Sequence, residues 1–326
     1  MKSPERPCSE RTPGGILNQG QAPVTVFLSH NNDAWPPLPL EEWKDTYATL
    51  HMWTQIVGKV RLALTPMVNH WWNVPLYVSA CGLTTSPIPF GSTSFELWFD
   101  FLDHQLVLQT SDGTRKVLPL TATAVADFYS EVMRMLHSEG IDVKIWHMPV
   151  EVPDPIPFDQ DRVHAAYDPD AAHRFWRILL SVQGVFEEFR SGFLGKCSPI
   201  HFFWGSFDLA VGRFSGRPAP ERPNANRIDR EAYSHEVSSV GFWPGGDSIT
   251  GPAFYSYTAP QPQGFADWNV RPAAARYDPH LSEFILMYDD VRGSPLPGAA
   301  LLEFCQSTYE AGATLGQWDR SALERR

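Results

Sequence analysis

The first strongly patterned stretch of the chain runs from Leu40 to Leu64. Trp43, Tyr47, Leu50, Trp53, Ile56, Val57, Val60 and Leu64 recur there at helical spacing, with Pro39 before the run and Pro66 after it. Apolar residues three and four apart share one helix face, and proline breaks a helix interior, so the spacing predicts a helix over 40–64. The pattern then shortens to the two-residue period of strands. His70–Ala80 (HWWNVPLYVSA), Phe95–Leu102, Gln105–Thr110 and Arg115–Leu120 read as strands, with Ser111-Asp112-Gly113 as a hairpin turn between the last two. Helical spacing returns over Thr121–Ser138 and stops at Glu139-Gly140. Asp142–Val152 (DVKIWHMPVEV) reads as a further strand, and residues 153–169 as a proline-rich linker.

The order then recurs. Asp170–Phe193 is a helix, His201–Phe214 (HFFWGSFDLAVGRF) a strand, His235–Trp243, Ala253–Thr258 and Glu283–Asp289 further strands, and Ala299–Leu315 a closing helix. With His70 placed on His201, Trp71 and Trp72 fall on Phe202 and Phe203. The expected architecture is α+β, made of internally duplicated helix–antiparallel sheet–helix units over 35–152 and 170–320. The second unit has extra loops at Gly216–Ala232 and Ala259–Leu281. The two sheets would join into one curved sheet with helices on one face and the other face open. The TATA-binding-protein-like arrangement is the nearest analogue, as a fold alone.

Composition narrows this further. The 326 residues include 12 Trp, 20 Phe, 10 Tyr and 29 Pro, which excludes a helical bundle or coiled coil. Residues 1–34 are rich in Pro, Gly, Ser and charge, and read as a disordered N-terminal extension, with Val24–Leu28 as one candidate strand. No apolar segment in it resembles a secretory signal, and no stretch is long enough to span a bilayer. A net charge of −11 repels phosphate backbones and anionic membrane surfaces, so neither nucleic acid nor membrane is an expected partner. Cys8, Cys81, Cys197 and Cys305 form no CxxC pair, which fits a reducing cytoplasm.

Several side chains carry candidate chemistry. Read as one strand, His201–Phe214 puts Phe203, Phe207, Leu209 and Val211 with His201 and Arg213 on an apolar, helix-facing side. Trp204, Ser206 and Asp208 lie opposite, on the open face. A carboxyl among aromatics has a raised pKa and suits acid–base work, unless it pairs with Arg213 or Arg217. Those arginines suit a carboxylate or phosphate, or an ion pair. His201 suits a metal or a general base, and the plainer alternative is a bond to a backbone carbonyl. His235 and Glu236 also suit a metal or a proton shuttle, although neighbours on a strand point apart. His201 and His235 together are the candidate ligands for a divalent metal ion. Asp289-Asp290 is a weaker carboxylate pair. No GxGxxG, GK[ST] or GxSxG motif occurs.

EEWKDTYATLHMWTQIVGKVRLAL, HFFWGSFDLAVGRFSGRPAP, EAYSHEVSSVGFWPGG and RPAAARYDPHLSEFILMYDDVR are familiar blocks. Over about residues 35–320 the chain resembles a bacterial family catalogued as domain of unknown function 5996. That resemblance implies no activity and no site residues. Three functions therefore remain in view. The first is an enzyme acting on a small metabolite in an aromatic-lined pocket of the second half, by acid–base or metal-assisted chemistry. The second is a non-catalytic small-molecule-binding or interaction protein. The third is a structural homodimer paired through sheet edges.

Overall fold

A computed structural model describes residues 34–246 and 249–325. The predicted extension before Ala34, with Val24–Leu28, lies outside the described residues. Helix α1 (Leu40–Leu64) has Glu41 and Glu42 in its first turn and Arg61 in its last, matching the helix dipole at both ends. It ends at Thr65, whose extended backbone suits a residue before proline. Every residue from Thr49 to Arg61 is buried. A helix with no solvent face is a core element, and α1 packs against the helices α2 (Val125–His137) and α3 (Pro169–Ser191).

Between α1 and α2 lies a sheet of six strands: β1 (Tyr77–Val78), β2 (Gly82–Thr84), β3 (Ile88–Phe90), β4 (Thr93–Asp100), β5 (Gln105–Thr110) and β6 (Arg115–Pro119). All pairings are antiparallel, in the order β1-β2-β4-β5-β6, with β3 also on β4. After α3 come β7 (His201–Phe203), β8 (Asp208–Pro218), α4 (Arg227–Ala232), β9 (His235–Trp243), β10 (Ala253–Ala259), β11 (Arg276–Asp278) and β12 (Glu283–Met287). They form a second antiparallel sheet of six strands, in the order β11-β12-β10-β9-β8-β7. Three helices close the described chain, α5 (Tyr288–Arg292), α6 (Pro297–Leu315) and α7 (Arg320–Leu323). The sheets touch where Leu76 and Phe202 exchange two backbone hydrogen bonds, each 2.9 Å. Helices α3 and α6 pack on one face of the second sheet. The fold is α+β. Among the described residues no helix is long and apolar enough to cross a membrane.

Four predicted strands come out differently. His70–Ala80 keeps strand structure only at Tyr77–Val78, because His70 (φ 57°) and Trp71 (φ 61°) are left-handed. The Asn73 side chain bonds the Val68 N–H there, a local turn that competes with strand pairing. His201–Phe214 is two strands, folded back on each other through Trp204–Phe207, with Phe207 at φ 57°. Glu283–Asp289 ends as a strand at Met287, and Asp289 and Asp290 lie exposed on α5. Asp142–Val152 has no strand partner. Its backbone is satisfied by side chains of α1: Gln55 exchanges two hydrogen bonds with Val150 (2.8 and 2.9 Å), and Lys59 donates to the carbonyls of Trp146 and Met148. This segment is a strap over the molecule rather than a sheet member.

Trp204, at the hairpin tip, packs on α1 at Gly58. A Cβ on Gly58 would lie 2.2 Å from Trp204 Cδ1, while Trp204 Nε1 donates to the Val74 carbonyl at 2.8 Å. Glycine to alanine in a helix normally gains about 1 kcal/mol. Here the clash outweighs it, since overpacking a core costs about 1–3 kcal/mol. Gly58→Ala should therefore lower the midpoint of thermal or urea unfolding. An unchanged or higher midpoint would show that Trp204 does not need this contact.

Candidate functional site

The register of the second sheet assembles a site on the face away from α3 and α6. Phe203 opposes Asp208, and His201 opposes Ala210. Ala210 opposes Gly241, Gly241 opposes Tyr255, and Tyr255 opposes Ile285. Directly opposed residues of antiparallel strands share a face, so His201, Asp208 and Tyr255 all lie on the open one. The next row places Tyr257 beside Ser239 and Gly212.

Gly241 makes the central contact. A Cβ there would fall 2.2 Å from the Tyr255 ring. Without it, the ring lies across β9, and its hydroxyl donates to Asp208 Oδ2 on β8. Ser206 Oγ donates to Asp208 Oδ1 at 2.5 Å.

Over this face is a cavity of about 1110 Å³. The strap, including Lys144–Trp146 and Glu151, forms part of its wall. Another part is α4, which is clamped by the turn at His70. The His70 N–H donates to Glu231 Oε1 (3.0 Å), its Nδ1–H to the Ala232 carbonyl (3.0 Å), and Trp71 Nε1–H to the Ile228 carbonyl (3.2 Å). Trp72, Trp204, Trp243, Tyr255 and Tyr257 supply aromatic surface.

The charged groups in the wall are unevenly matched. Asp208 is 5 % exposed, and burial pushes its carboxyl up despite the two hydroxyl donors. Burial, with Asp208 and Asp278 nearby, pushes Glu283 up to about 7. Burial, then Asp208 and Asp229, also raises Glu151. Among the described residues, none of the three is in an ion pair with Lys or Arg, although Lys59 and Lys144 line the same cavity. His201 is 0 % exposed, and neither ring nitrogen has a partner. Burial, helped by Arg61 and Arg190, pushes it down to about 3, so it is neutral at physiological pH. Lys59, buried in the wall beside the strap, is pushed down to about 8 by burial.

Of the predicted residues, His201, Trp204, Ser206 and Asp208 line the cavity. His201 faces the cavity and not the helices, because the hairpin turn resets the alternation that a single strand would have kept. Nor does Asp208 pair with Arg213 or Arg217. Arg213 lies on the helix side, its guanidinium carbon 3.4 Å from the Phe189 ring centre and 4.4 Å from that of Tyr309. Arg217 pairs with Glu236 at 2.6 Å and donates to the Gly316 carbonyl at the end of α6. Arg213 is thus packed among rings of the helix layer and Arg217 pairs with Glu236 at the surface, and none of the three lines the cavity. His235 stands edge-on to His70, ring centres 5.5 Å apart, and is not brought to His201, whose neighbours are Trp72, Tyr77 and Phe203. The predicted His201–His235 metal pair is thus not assembled. Among the described residues no three His, Cys, Asp or Glu side chains converge as a metal site.

Glu151, Tyr255, Tyr257 and Glu283 were not among the candidates. Tyr255 and Tyr257 alternate within a predicted strand, so the two-residue period put them on one face. Nothing local marks Glu151, which the strap delivers from far along the chain.

A model of a family of unknown function (DUF5996) matches residues 35–325. No curated protein matches the chain, and no solved structure matches it.

Glu283 makes the stability of the ligand-free protein depend on pH. The unfolded chain loses this proton near 4.5, whereas the folded chain keeps it to about 7. A folded state that binds the extra proton loses stability as pH rises through that window. Glu283→Gln should remove roughly 1–3 kcal/mol of that loss. Urea unfolding of both proteins at pH 5 and pH 8 checks this, and equal losses in the two would contradict it.

Proposed function

The chain belongs to the family of unknown function DUF5996 over residues 35–325, and since membership brings no activity, we propose from the site that it is an enzyme acting on a small organic molecule, with Asp208 transferring the proton. One observation carries this reading. Asp208 sits in a cavity wall, buried, hydrogen-bonded by the hydroxyls of Tyr255 and Ser206, and in no ion pair among the described residues. A buried carboxyl in a cleft, raised above its ordinary range, is the kind of group that enzymes use as general acid or base. Structural carboxyls in cores are ordinarily paired with Arg or Lys. Tyr255 is a second proton-bearing group within hydrogen-bond reach, the minimum that acid–base catalysis asks of a cleft. About 1110 Å³ holds a drug-sized molecule.

We also infer that the two halves are copies of one unit, joined into a single curved sheet in a TATA-binding-protein-like arrangement. Both run helix, antiparallel meander, helix. Leu76 follows α1 at nearly the spacing at which Phe202 follows α3, and these two residues pair with each other. In an antiparallel pair on a local two-fold axis, equivalent residues are partners. His70, which precedes β1, is then not the counterpart of His201. An experimental structure in which the halves fail to superpose by a two-fold rotation would remove this inference.

The enzyme reading is tested by incubating purified protein with a pool of cellular metabolites and following each compound by mass spectrometry. Wild type should consume at least one compound. Asp208→Asn should slow that consumption by about 10²–10⁴-fold, the usual worth of a general acid–base group. Tyr255→Phe should slow it less. Consumption by Asp208→Asn at the wild-type rate, or none by wild type, sinks the proposal.

A further inference from the structure

The cavity wall holds more negative than positive chemistry, with Glu151, Asp208, Asp229 and Glu283 against Lys59 and Lys144. Asp208, Glu151 and Glu283 all face the space, and Asp208 lies close enough to act on both glutamates. Glu151 is tight against the backbone: a Cβ on Gly205 would come 2.7 Å from its Oε1. Its φ of 56° is a left-handed value that a residue with a side chain adopts at a cost. Such strain persists where the surroundings hold it, most often at ligand sites. Carboxylates by themselves prove little, since an acidic cluster is often simply hydrated.

A separate observation points to an occupant. His201, fully buried in the same wall, has no partner for either ring nitrogen among the described residues. A neutral imidazole carries one N–H donor and one acceptor. A buried polar group left without a partner costs the protein its desolvation. Burial first, and the nearby charges of Arg61 and Arg190, disfavour a second proton on the ring. Its partner is then a ligand group that hydrogen-bonds a neutral ring.

We infer that the molecule bound in this cavity is a protonated organic amine, its ammonium held by Asp208 and Glu283, its apolar body against the tryptophans, and a polar group at His201. The inference rests on the cavity being the ligand site proposed above, and it names the class of ligand. Three physical terms favour the amine. Carboxylates give charge-assisted hydrogen bonds to N–H⁺, roughly twice as strong as neutral ones. Aromatic rings attract cations more than neutral groups of the same shape. The net charge of −11 draws cations towards the protein and repels anions. A neutral ligand would bring no opposite charge to Asp208 and Glu283, and a carboxylic acid would add to their repulsion.

Three probes with one carbon frame separate these cases: phenethylamine, 2-phenylethanol and phenylacetate. Each is titrated calorimetrically into the full chain at pH 8. The amine should bind at least ~10-fold tighter than the alcohol, the worth of one charge-assisted contact, and phenylacetate should bind weakest. In Glu283→Gln the preference for the amine should shrink several-fold with the alcohol's affinity nearly unchanged. Asp208→Asn provides an independent second variant, and melting curves check that each is folded. Alcohol or phenylacetate binding as tightly as the amine in wild type would overturn the amine class. So would a preference unaltered in both variants, which would assign it to surface charge. If alcohol and amine bind equally, and Trp243→Ala weakens both, the cavity remains the ligand site while the amine class fails. If none of the three binds at millimolar concentration, the amine class and the cavity reading fall together. Tight amine binding without any turnover would leave the amine class standing and remove the enzyme reading.

Discussion

A peptide group taken out of water must find a hydrogen-bond partner, and along the strap those partners come from the side chains of one helix. Gln55 meets Val150 with both a donor and an acceptor, as a neighbouring strand would. Lys59 takes the carbonyls of Trp146 and Met148, and His51 Nε2–H donates to the Gly205 carbonyl at 2.7 Å. Each of these polar side chains is buried within α1. Together they hold the strap and the hairpin turn, two irregular segments that line the cavity. Without them the second sheet would keep its strands but lose part of the enclosure over its open face.

Burial acts in opposite directions on the two kinds of ionisable group that share the cavity. It raises the carboxyls of Asp208, Glu151 and Glu283, and lowers the imidazole of His201. In each case the low-dielectric surroundings disfavour the charged form. Arg213 shows the other solution: its charge remains, spread over the rings of Phe189, Phe193 and Tyr309 on the helix side, where burial lowers it only to about 10.

Periodicity made much of the fold legible. Leu40–Leu64, Gln105–Thr110 and His235–Trp243 emerge with the bounds their patterns imply, since the helix bonds its own backbone and the two strands are paired on both sides by antiparallel neighbours. Asp208, His201, Trp204 and Ser206, which the structure places in the cavity wall, stood out in the sequence as titratable and polar groups among aromatics. Which way each faced was not legible. An unnoticed four-residue turn between Phe203 and Asp208 inverts the parity of everything before it. The fate of Arg213 was hidden for a different reason, as the rings that enclose it come from α3 and α6, remote in sequence. The strap was misread as a strand because extended backbone looks the same whether its partner is a strand or a row of side chains.

Gly241 gives the tyrosine and the aspartate their meeting point by contributing nothing but backbone. It carries no charge, binds nothing and takes no proton, so a survey of reactive residues passes over it. Any larger residue would lift the Tyr255 ring from β9 and separate it from Asp208. In other chains of this kind, a glycine at this place in the third strand of the second meander, opposite a tyrosine, is the most economical diagnostic that the pair is assembled. A tyrosine and an aspartate without that glycine would be two residues in one sheet and not a working couple.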